Sequence, residues 1–469
     1  MKKSLKLLSL VLVFIFLFVT VVGCGGTTST DNTQKSNGTQ TETKDTEKKP
    51  EEEEVVEETY DFGGRSVRFA AWWDQEPKEG VTESGDLYVA KLRDMEEKYN
   101  FKFEWINIPE GELLETLTAS NLAGDPFTDF IYIKDSWFLP RVVSGEIYPV
   151  SDLKAFDFSE EKWNPIIMEF GEVNGKKYAL YTGKLEIRGL LFWNKTIFER
   201  EGLPNLYELQ NNYQWTWDKF LEVAQKATKD LDGDGTIDQW GVTGGQMEFQ
   251  LIASNDADPI ILKDGKWTYN LTDPKCLEAL QFYQDLAQVH KVYAIPPEGA
   301  AWDWHIQAFK DGYIAMMAYH SWTLGTFQTS MEDDYGVVLF PMGPRAKEYY
   351  SELEQFVFQV MPSAVHKPEE LAIVYDEMTD PIPGIDQEEA WRDGQLNNLR
   401  DEESLVALSM IYEKNLQRVN RWFSFPDVVD IGWGLFDSIL RGVKAPTVAV
   451  EEVAQQAQSF IDDTMGYNK

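Results

Sequence analysis

Residues 66–73 read SVRFAAWW, residues 101–109 read FKFEWINIP and residues 129–135 read DFIYIKD. In the first stretch Val67, Phe69 and Ala71 alternate with Ser66 and Arg68, which is the period of a strand with one buried face. In the second, Phe101, Phe103 and Trp105 alternate in the same way. The third is a short apolar run of the fully buried kind. Between the first two stretches Tyr88, Leu92, Met95 and Tyr99 fall on one helical face. A second helix is expected over residues 110–122. Strand, helix, strand, helix, strand at these lengths implies a doubly wound α/β lobe. Ligands of such lobes sit beyond the C-terminal ends of the strands. Those ends carry Trp72, Trp73 and Asp74 in one case, and Asp135, Ser136 and Trp137 in another.

The theme returns further along. RGLLFWNK (188–195) reads as a strand, and Thr216 caps a helix with Trp217, Phe220, Leu221 and Ala224 on one face. Later helices are expected near 275–290, 302–311, 367–378 and 402–414. A last helix begins after Thr447, with Val450, Val453, Ala454, Ala457, Phe460 and Ile461 as its apolar stripe. No internal repeat is visible.

The helix opened by Thr216 runs into DLDGDGTIDQWG (230–241). Asp230, Asp232, Asp234 and Asp238 are spaced like the first positions of a calcium loop, with Gly235 at the sixth. The twelfth position, a bidentate Glu in a sensor, is Gly241, and no second helix of sensor periodicity follows. A sensor switch is therefore excluded. The four aspartates and the carbonyl of Thr236 could still hold Ca²⁺ as a structural clip.

Composition narrows the class. The chain of 469 residues has 79 acidic against 43 basic residues, a net charge of -36, which opposes nucleic-acid binding. Lys2, Lys3 and Lys6 precede an apolar run from Leu7 to Val22, as in an export signal. Val21-Val22-Gly23-Cys24 resembles a bacterial lipobox, in which Cys24 takes the lipid. Residues 1–23 are then a lipoprotein signal peptide, and residues 24–58, almost free of apolar side chains and rich in glutamate, a disordered tether. The expected location is the outer face of the cytoplasmic membrane, lipid-anchored. Cys276, the second of two cysteines, has no disulfide partner and is expected to be a buried small hydrophobe.

NGKKYALYTGKLEIRGLLFWNKTIFEREGLPN (174–205), followed by TWDKFLEVAQKATKDLDGDGTIDQWG (216–241), closely resembles the extracellular solute-binding proteins of carbohydrate-type ABC transporters. AFKDGYIAMMAYHSWTLG (308–325), YGVVLFPMGP (335–344) and IGWGLFDSILRGVKAPTVAVEEVAQQAQSFID (431–462) extend the resemblance in order. Tyr181 stands where the family usually has Pro. The resemblance implies a periplasmic-binding-protein-like fold of type II: two doubly wound α/β lobes, joined by a multi-strand hinge, with the ligand between them. Its crossovers fall near 182–188, 318–323 and 360–366. One lobe then comprises 59–185 and 320–362, the other 186–319 and 363–469. The implied partners are a carbohydrate, expected to be an oligosaccharide, and the permease subunits of a transporter; the protein is expected to be a monomer.

A neutral sugar needs flat aromatic surfaces for its C–H faces, and Asp, Glu, Asn or Arg for its hydroxyls. The 16 tryptophans exceed what a core requires. The candidates are Trp72, Trp73, Asp74, Asp135 and Trp137 at strand ends, and Glu186 and Arg188 at the first crossover. His320 and Trp322 at the second, Trp302 from WDWHIQ and Trp433 near the C-terminus complete the set. Catalysis is not expected. The four histidines lack zinc spacing, and no GxSxG elbow is present. A surface glycoside hydrolase, or a receptor presenting sugar to a membrane kinase, stay open as alternatives.

Overall fold

The computed structural model describes residues 60–468. The signal segment, Cys24 and the tether lie outside them.

The strands of the opening stretches form one sheet, in the order Val357–Val360, Phe130–Lys134, Arg65–Ala71, Phe101–Asn107. Its last three members are parallel, while Val357–Val360 runs antiparallel at the edge. The register sets Phe69 opposite both Trp105 and Phe130, and Phe69 stacks on the Phe130 ring at 4.9 Å. Helix Glu83–Tyr99 is capped by Thr82, whose hydroxyl accepts from Gly85 N–H, and it buries Val89, Leu92, Met95 and Tyr99. Helix Glu110–Ala123 follows the second strand.

A second sheet has the order Tyr335–Leu339, Leu190–Asn194, Ile314–Tyr319, Trp240–Gly244. Leu190–Asn194 runs antiparallel to both neighbours, and every residue of the first three strands is buried. Covered on both faces, these strands read as continuous apolar runs rather than alternations. The edge strand Tyr335–Leu339 is shielded by side chains. Val337 N–H donates to Ser404 Oγ at 2.9 Å, and Leu339 N–H to Gln210 Oε1 at 2.7 Å.

Strand pairing moves the expected lobe boundaries. Residues 320–362 were assigned to the first lobe, yet Tyr335–Leu339 pairs with Leu190–Asn194 in the second sheet. Of that segment's strands, Val357–Val360 joins the first sheet. Residues 363–469 were assigned to the second lobe, yet helix Pro368–Thr379 packs on the first sheet. Its Tyr375 ring lies 4.8 Å from Phe130, and its hydroxyl donates to Gln359 Oε1 at 2.6 Å. An apolar run buried on both sides carries no mark of which strands flank it, so the pattern could not reveal these partners.

Between the sheets run the hinge segments. Ser351–Leu353 pairs in parallel with Gln417–Val419, and Gly189 passes against them. A Cβ on Gly189 would lie 2.5 Å from Glu352 N, so no larger residue fits this crossing. Lys184 ties the crossings together: its ammonium lies 3.9 Å from the Trp391 ring centroid and 4.9 Å from that of Tyr412.

Candidate binding cavities

Where the second sheet meets the hinge, a cavity of about 910 Å³ opens. Its floor comes from Arg188 and Gln355 of the hinge segments. One wall is the turn Gly244-Gly245-Gln246 after strand Trp240–Gly244. Another is Tyr319, His320 and Trp322 after strand Ile314–Tyr319. The segment from Pro296 to Trp302 and the helix Pro426–Leu440 complete it. A second cavity of about 480 Å³ shares Gln355 and Trp433 with the first. It is walled by Leu114, Trp137 and Pro140 from the first lobe and by Phe423, Pro426 and Val429 from the C-terminal segment.

The larger cavity is built for close approach. A Cβ on Gly245 would fall 2.4 Å from the Tyr319 ring. Gln246 adopts φ 58, a left-handed conformation, and leads into helix Met247–Ser254, whose eight residues are all buried. The Oε1 of Gln246 and the Nε of Arg188 are buried without a hydrogen-bond partner among the described residues. Arg188 is otherwise engaged: Nη2 donates to Gln355 O at 3.1 Å and pairs with Glu186 Oε2 at 2.9 Å. Thr243 donates to Ala294 O at 3.0 Å, so its oxygen accepts from His305 Nδ1 at 2.8 Å. That leaves His305 Nε2 as a hydrogen-bond acceptor for the cavity. Burial pushes the His305 imidazole down to about 4, which keeps it neutral.

Behind the floor lie three buried carboxylates. His320 stacks on Tyr319 at 4.8 Å and brings Nε2 to 3.0 Å from Glu354 Oε1, off the hydrogen-bonding direction. Glu352 accepts from Asn420 Nδ2 at 2.8 Å; burial, then the charge of Glu354, hold its carboxyl well above the usual range. Asp135 accepts from Ser136 N–H at 2.7 Å and Gln355 N–H at 3.0 Å. Burial, then Glu354, push Asp135 up to about 8 against those two bonds. Glu248, on the cavity wall, is pushed up to about 7 by burial.

Of the residues expected to meet a ligand, Arg188, Trp302, His320, Trp322 and Trp433 line the larger cavity. Trp137 lines the second, with Trp433. Trp302 is 73% exposed, Trp433 57% and Trp322 41%, so three indoles stand open at one cavity. Trp302 and Trp322 lie 6.1 Å apart. The rest line neither cavity. Trp72 meets Trp73 edge-on at 4.8 Å and Trp137 at 5.4 Å, and Trp73 rests on Tyr132 at 4.8 Å. Asp74 is exposed and paired with Lys78; Asp135 is buried; Glu186 serves Arg188. The reading missed Gln246, Glu248, His305, Gln355, Asp437 and Arg441, all on the larger cavity. The signal for the first two was a Gly-Gly-Gln turn at a strand's C-terminal end, the usual ligand edge of such sheets.

The acidic loop joins helix Trp217–Ala227 to strand Trp240–Gly244. Asp230, Asp232 and Asp238 each bring one carboxylate oxygen within 4.8 Å of the others. Asp230 accepts from Gly233 N–H at 2.7 Å and Gly235 N–H at 2.8 Å, and Asp234 from Thr236 N–H at 2.7 Å. An all-oxygen donor set on exposed carboxylates suits a hard cation such as Ca²⁺. Among the described residues no helix is long and apolar enough to cross a membrane.

Comparison with known proteins places these cavities in context. Residues 91–372 match the family described as bacterial extracellular solute-binding protein. An arabinooligosaccharide-binding protein of Halalkalibacterium halodurans is 25% identical over 194 residues, a stretch covering 39% of this chain and 40% of that protein. Among solved structures, a cyclo/maltodextrin-binding protein complexed with maltotetraose superposes with a TM-score of 0.61 at 16% identity, over 85% of this chain and 97% of that one. An ABC substrate-binding protein from Listeria monocytogenes in complex with cycloalternan gives 0.57 at 17% identity, over 86% and 99%. UgpB from Mycobacterium tuberculosis, in complex with glycerophosphocholine, gives 0.60 at 17% identity, over 85% and 99%. At these identities the likeness shows the fold: an α/β periplasmic-binding-protein-like architecture.

Proposed function

The chain belongs to the bacterial extracellular solute-binding protein family, whose members are non-enzymatic binding components of ABC transporters, and from that premise we propose that it captures an oligosaccharide between its lobes and delivers it to a permease. The observation that carries the reading is the larger cavity. Three exposed indoles line it together with Gln246 and Arg188, whose Oε1 and Nε are buried without partners among the described residues. Such atoms are costly until a ligand meets them. Indoles offer the flat faces that sugar rings stack on. Donors on Arg188 and acceptors on Gln246 and His305 together suit hydroxyls, which do both. The partial match to an arabinooligosaccharide-binding protein and the oligosaccharide-bound structures of the same fold support this class.

The test is a glycan array followed by calorimetry on the parent, Trp433→Ala and Trp322→Ala. Loss of a stacking indole removes on the order of 2–4 kcal/mol, or roughly 30- to 1000-fold in Kd. Both folded variants binding as tightly as the parent would overturn the assignment of these indoles. Binding of a phosphodiester or a peptide, with no sugar bound, would overturn the substrate class.

We propose as well that Cys24 carries a lipid anchor. Cys24→Ala then releases the protein into the medium, and unchanged membrane retention refutes the anchor. The loop of Asp230, Asp232, Asp234, Thr236 and Asp238 is proposed to hold Ca²⁺ as a clip between helix and strand. Its charge and oxygen chemistry support this.

A further inference from the structure

We propose that the second cavity receives an aryl substituent on the carbohydrate whose sugar rings occupy the first, so that the ligand is an aryl-bearing glycoside or sugar ester. The inference rests on the carbohydrate reading above. Three observations lead to it.

The two cavities adjoin. Trp433 and Gln355 wall both, so a group that reaches past Trp433 from the first would enter the second. The second is also bounded by both lobes, since Leu114 and Trp137 come from one and Phe423 and Val429 from the C-terminal segment.

The chemistry of the walls differs. The larger cavity presents Gln246 Oε1 and Arg188 Nε, both buried and unpaired among the described residues. In the second, the charged side chains largely answer one another. Lys134 pairs with Glu110 and lays its ammonium 5.2 Å from the Trp137 ring centroid, and Arg141 Nη1 pairs with Glu146 Oε1 at 3.4 Å. Arg141 Nε is the buried polar atom of this wall without a partner among the described residues. Most of the remaining lining is hydrocarbon or indole.

A further sugar ring would bring several hydroxyls into this space, and each hydroxyl stripped of water needs a partner. Arg141 Nε, the Ser136 hydroxyl, the Gln355 amide and the Asp430 carboxylate are what the wall offers them, against seven apolar side chains. An aromatic ring demands none and gains from burial between Trp137, Val429 and Trp433. The buried donor without a partner among the described residues, Arg141 Nε, matches one acceptor on such a group, such as an ester carbonyl.

The experiment compares three ligands by calorimetry: the sugar identified by the array, the same sugar carrying a phenyl or benzoyl group at either end, and the sugar lengthened by one unit. The aryl form is expected to bind about tenfold to a hundredfold more tightly than the free sugar. Val429→Asp and Leu114→Gln, on walls from different lobes, should abolish that gain; Leu114→Gln, which does not line the first cavity, should also leave the Kd of the free sugar within about twofold. Retention of the gain in both variants overturns the proposal. So does equal binding of aryl and free sugar, or an equal gain from the added sugar unit, which would make the cavity a sugar subsite. Each of these leaves the carbohydrate reading intact. Failure of every sugar, free or substituted, overturns both.

Discussion

Two sets of carboxylates in this protein solve opposite problems. Asp135, Glu352 and Glu354 meet behind the cavity floor, all at 3% exposure or less. Asp230, Asp232 and Asp234 stand in solvent on a loop. In the loop, water and backbone N–H groups satisfy the charges, and Asp230 is held below the usual carboxylate range chiefly by the Gly235 N–H. At the hinge the low dielectric penalises the charged form, so Asp135 and Glu352 are pushed upward. The available cations do not cancel three acids. Arg188 is shared with Glu186, and Arg421 lies against the rings of Phe170 at 4.1 Å and Trp267 at 4.8 Å. A carboxyl group thus holds a proton in one place and stands charged in water in the other. Burial decides which.

The largest expected effect comes from breaking the buried set. In an unfolded chain Asp titrates near 3.9, whereas folded Asp135 keeps its proton up to about 8. Between those values the native state binds a proton that the unfolded state has lost, so stability falls as pH rises. Glu248, pushed up to about 7, acts in the same direction. Asp135→Asn removes the titration. The variant should be the less stable at pH 5, because its amide turns an N–H₂ toward the Ser136 or Gln355 N–H. Its stability should then decline less than the parent's between pH 5 and 8, by on the order of 3 kcal/mol. Urea unfolding at the two pH values measures this. Parallel declines would mean that Asp135 is ionised in the native hinge and that burial has not won.

The exposed set should give a smaller effect of another kind. If the loop binds calcium, the ion stabilises by RT ln(1 + [L]/Kd), about 1.4 kcal/mol at ten times Kd. Chelation should lower Tm accordingly, and the double variant Asp232→Ala, Asp234→Ala should be insensitive to chelator. The loop also carries its own backbone hydrogen bonds, so the fold is expected to survive in either case. No shift of Tm on chelation in the parent would leave the loop an acidic turn.

The contrast also explains what could be read from sequence. The first sheet was legible because Val67, Phe69 and Phe101 alternate with polar residues, and helix Glu83–Tyr99 because its stripe has the helical period. Of the second sheet, Leu190–Asn194 was legible as a strand, but its partners were not. Leu190–Asn194 and Tyr335–Leu339 are buried throughout, and an unbroken apolar run does not name its neighbours. Trp322, expected at a crossover, and Trp302 and Trp433, expected outside one, do line the cavity. Carboxylates were poor guesses. Asp135 looks like Asp74 in sequence, each ending a strand, yet one is sealed inside and the other is in water. Gln355 could not be found because its place depends on chains that meet only in three dimensions.

Asp74 gives the smallest effect and the sharpest check on that distinction. It ends the first strand, where ligands of such sheets gather, and was expected to hold a sugar hydroxyl. In the structure its side chain is 55% exposed, and its Oδ2 lies 2.5 Å from Lys78 Nζ, four residues on. The Lys78 hydrogen bond first, and the Glu76 N–H second, hold its carboxyl below the usual range. Neither partner belongs to a cavity wall. An exposed pair of this kind contributes little, because water competes for both charges and salt screens them. Asp74→Asn should therefore leave Tm unchanged and shift the Kd of the array-identified sugar less than twofold. The lobes of a hinge protein can swing as a ligand binds, and that motion could bring the strand end to the sugar. A tenfold loss of affinity by calorimetry, with Tm unchanged, would show that closure carries Asp74 into the cleft.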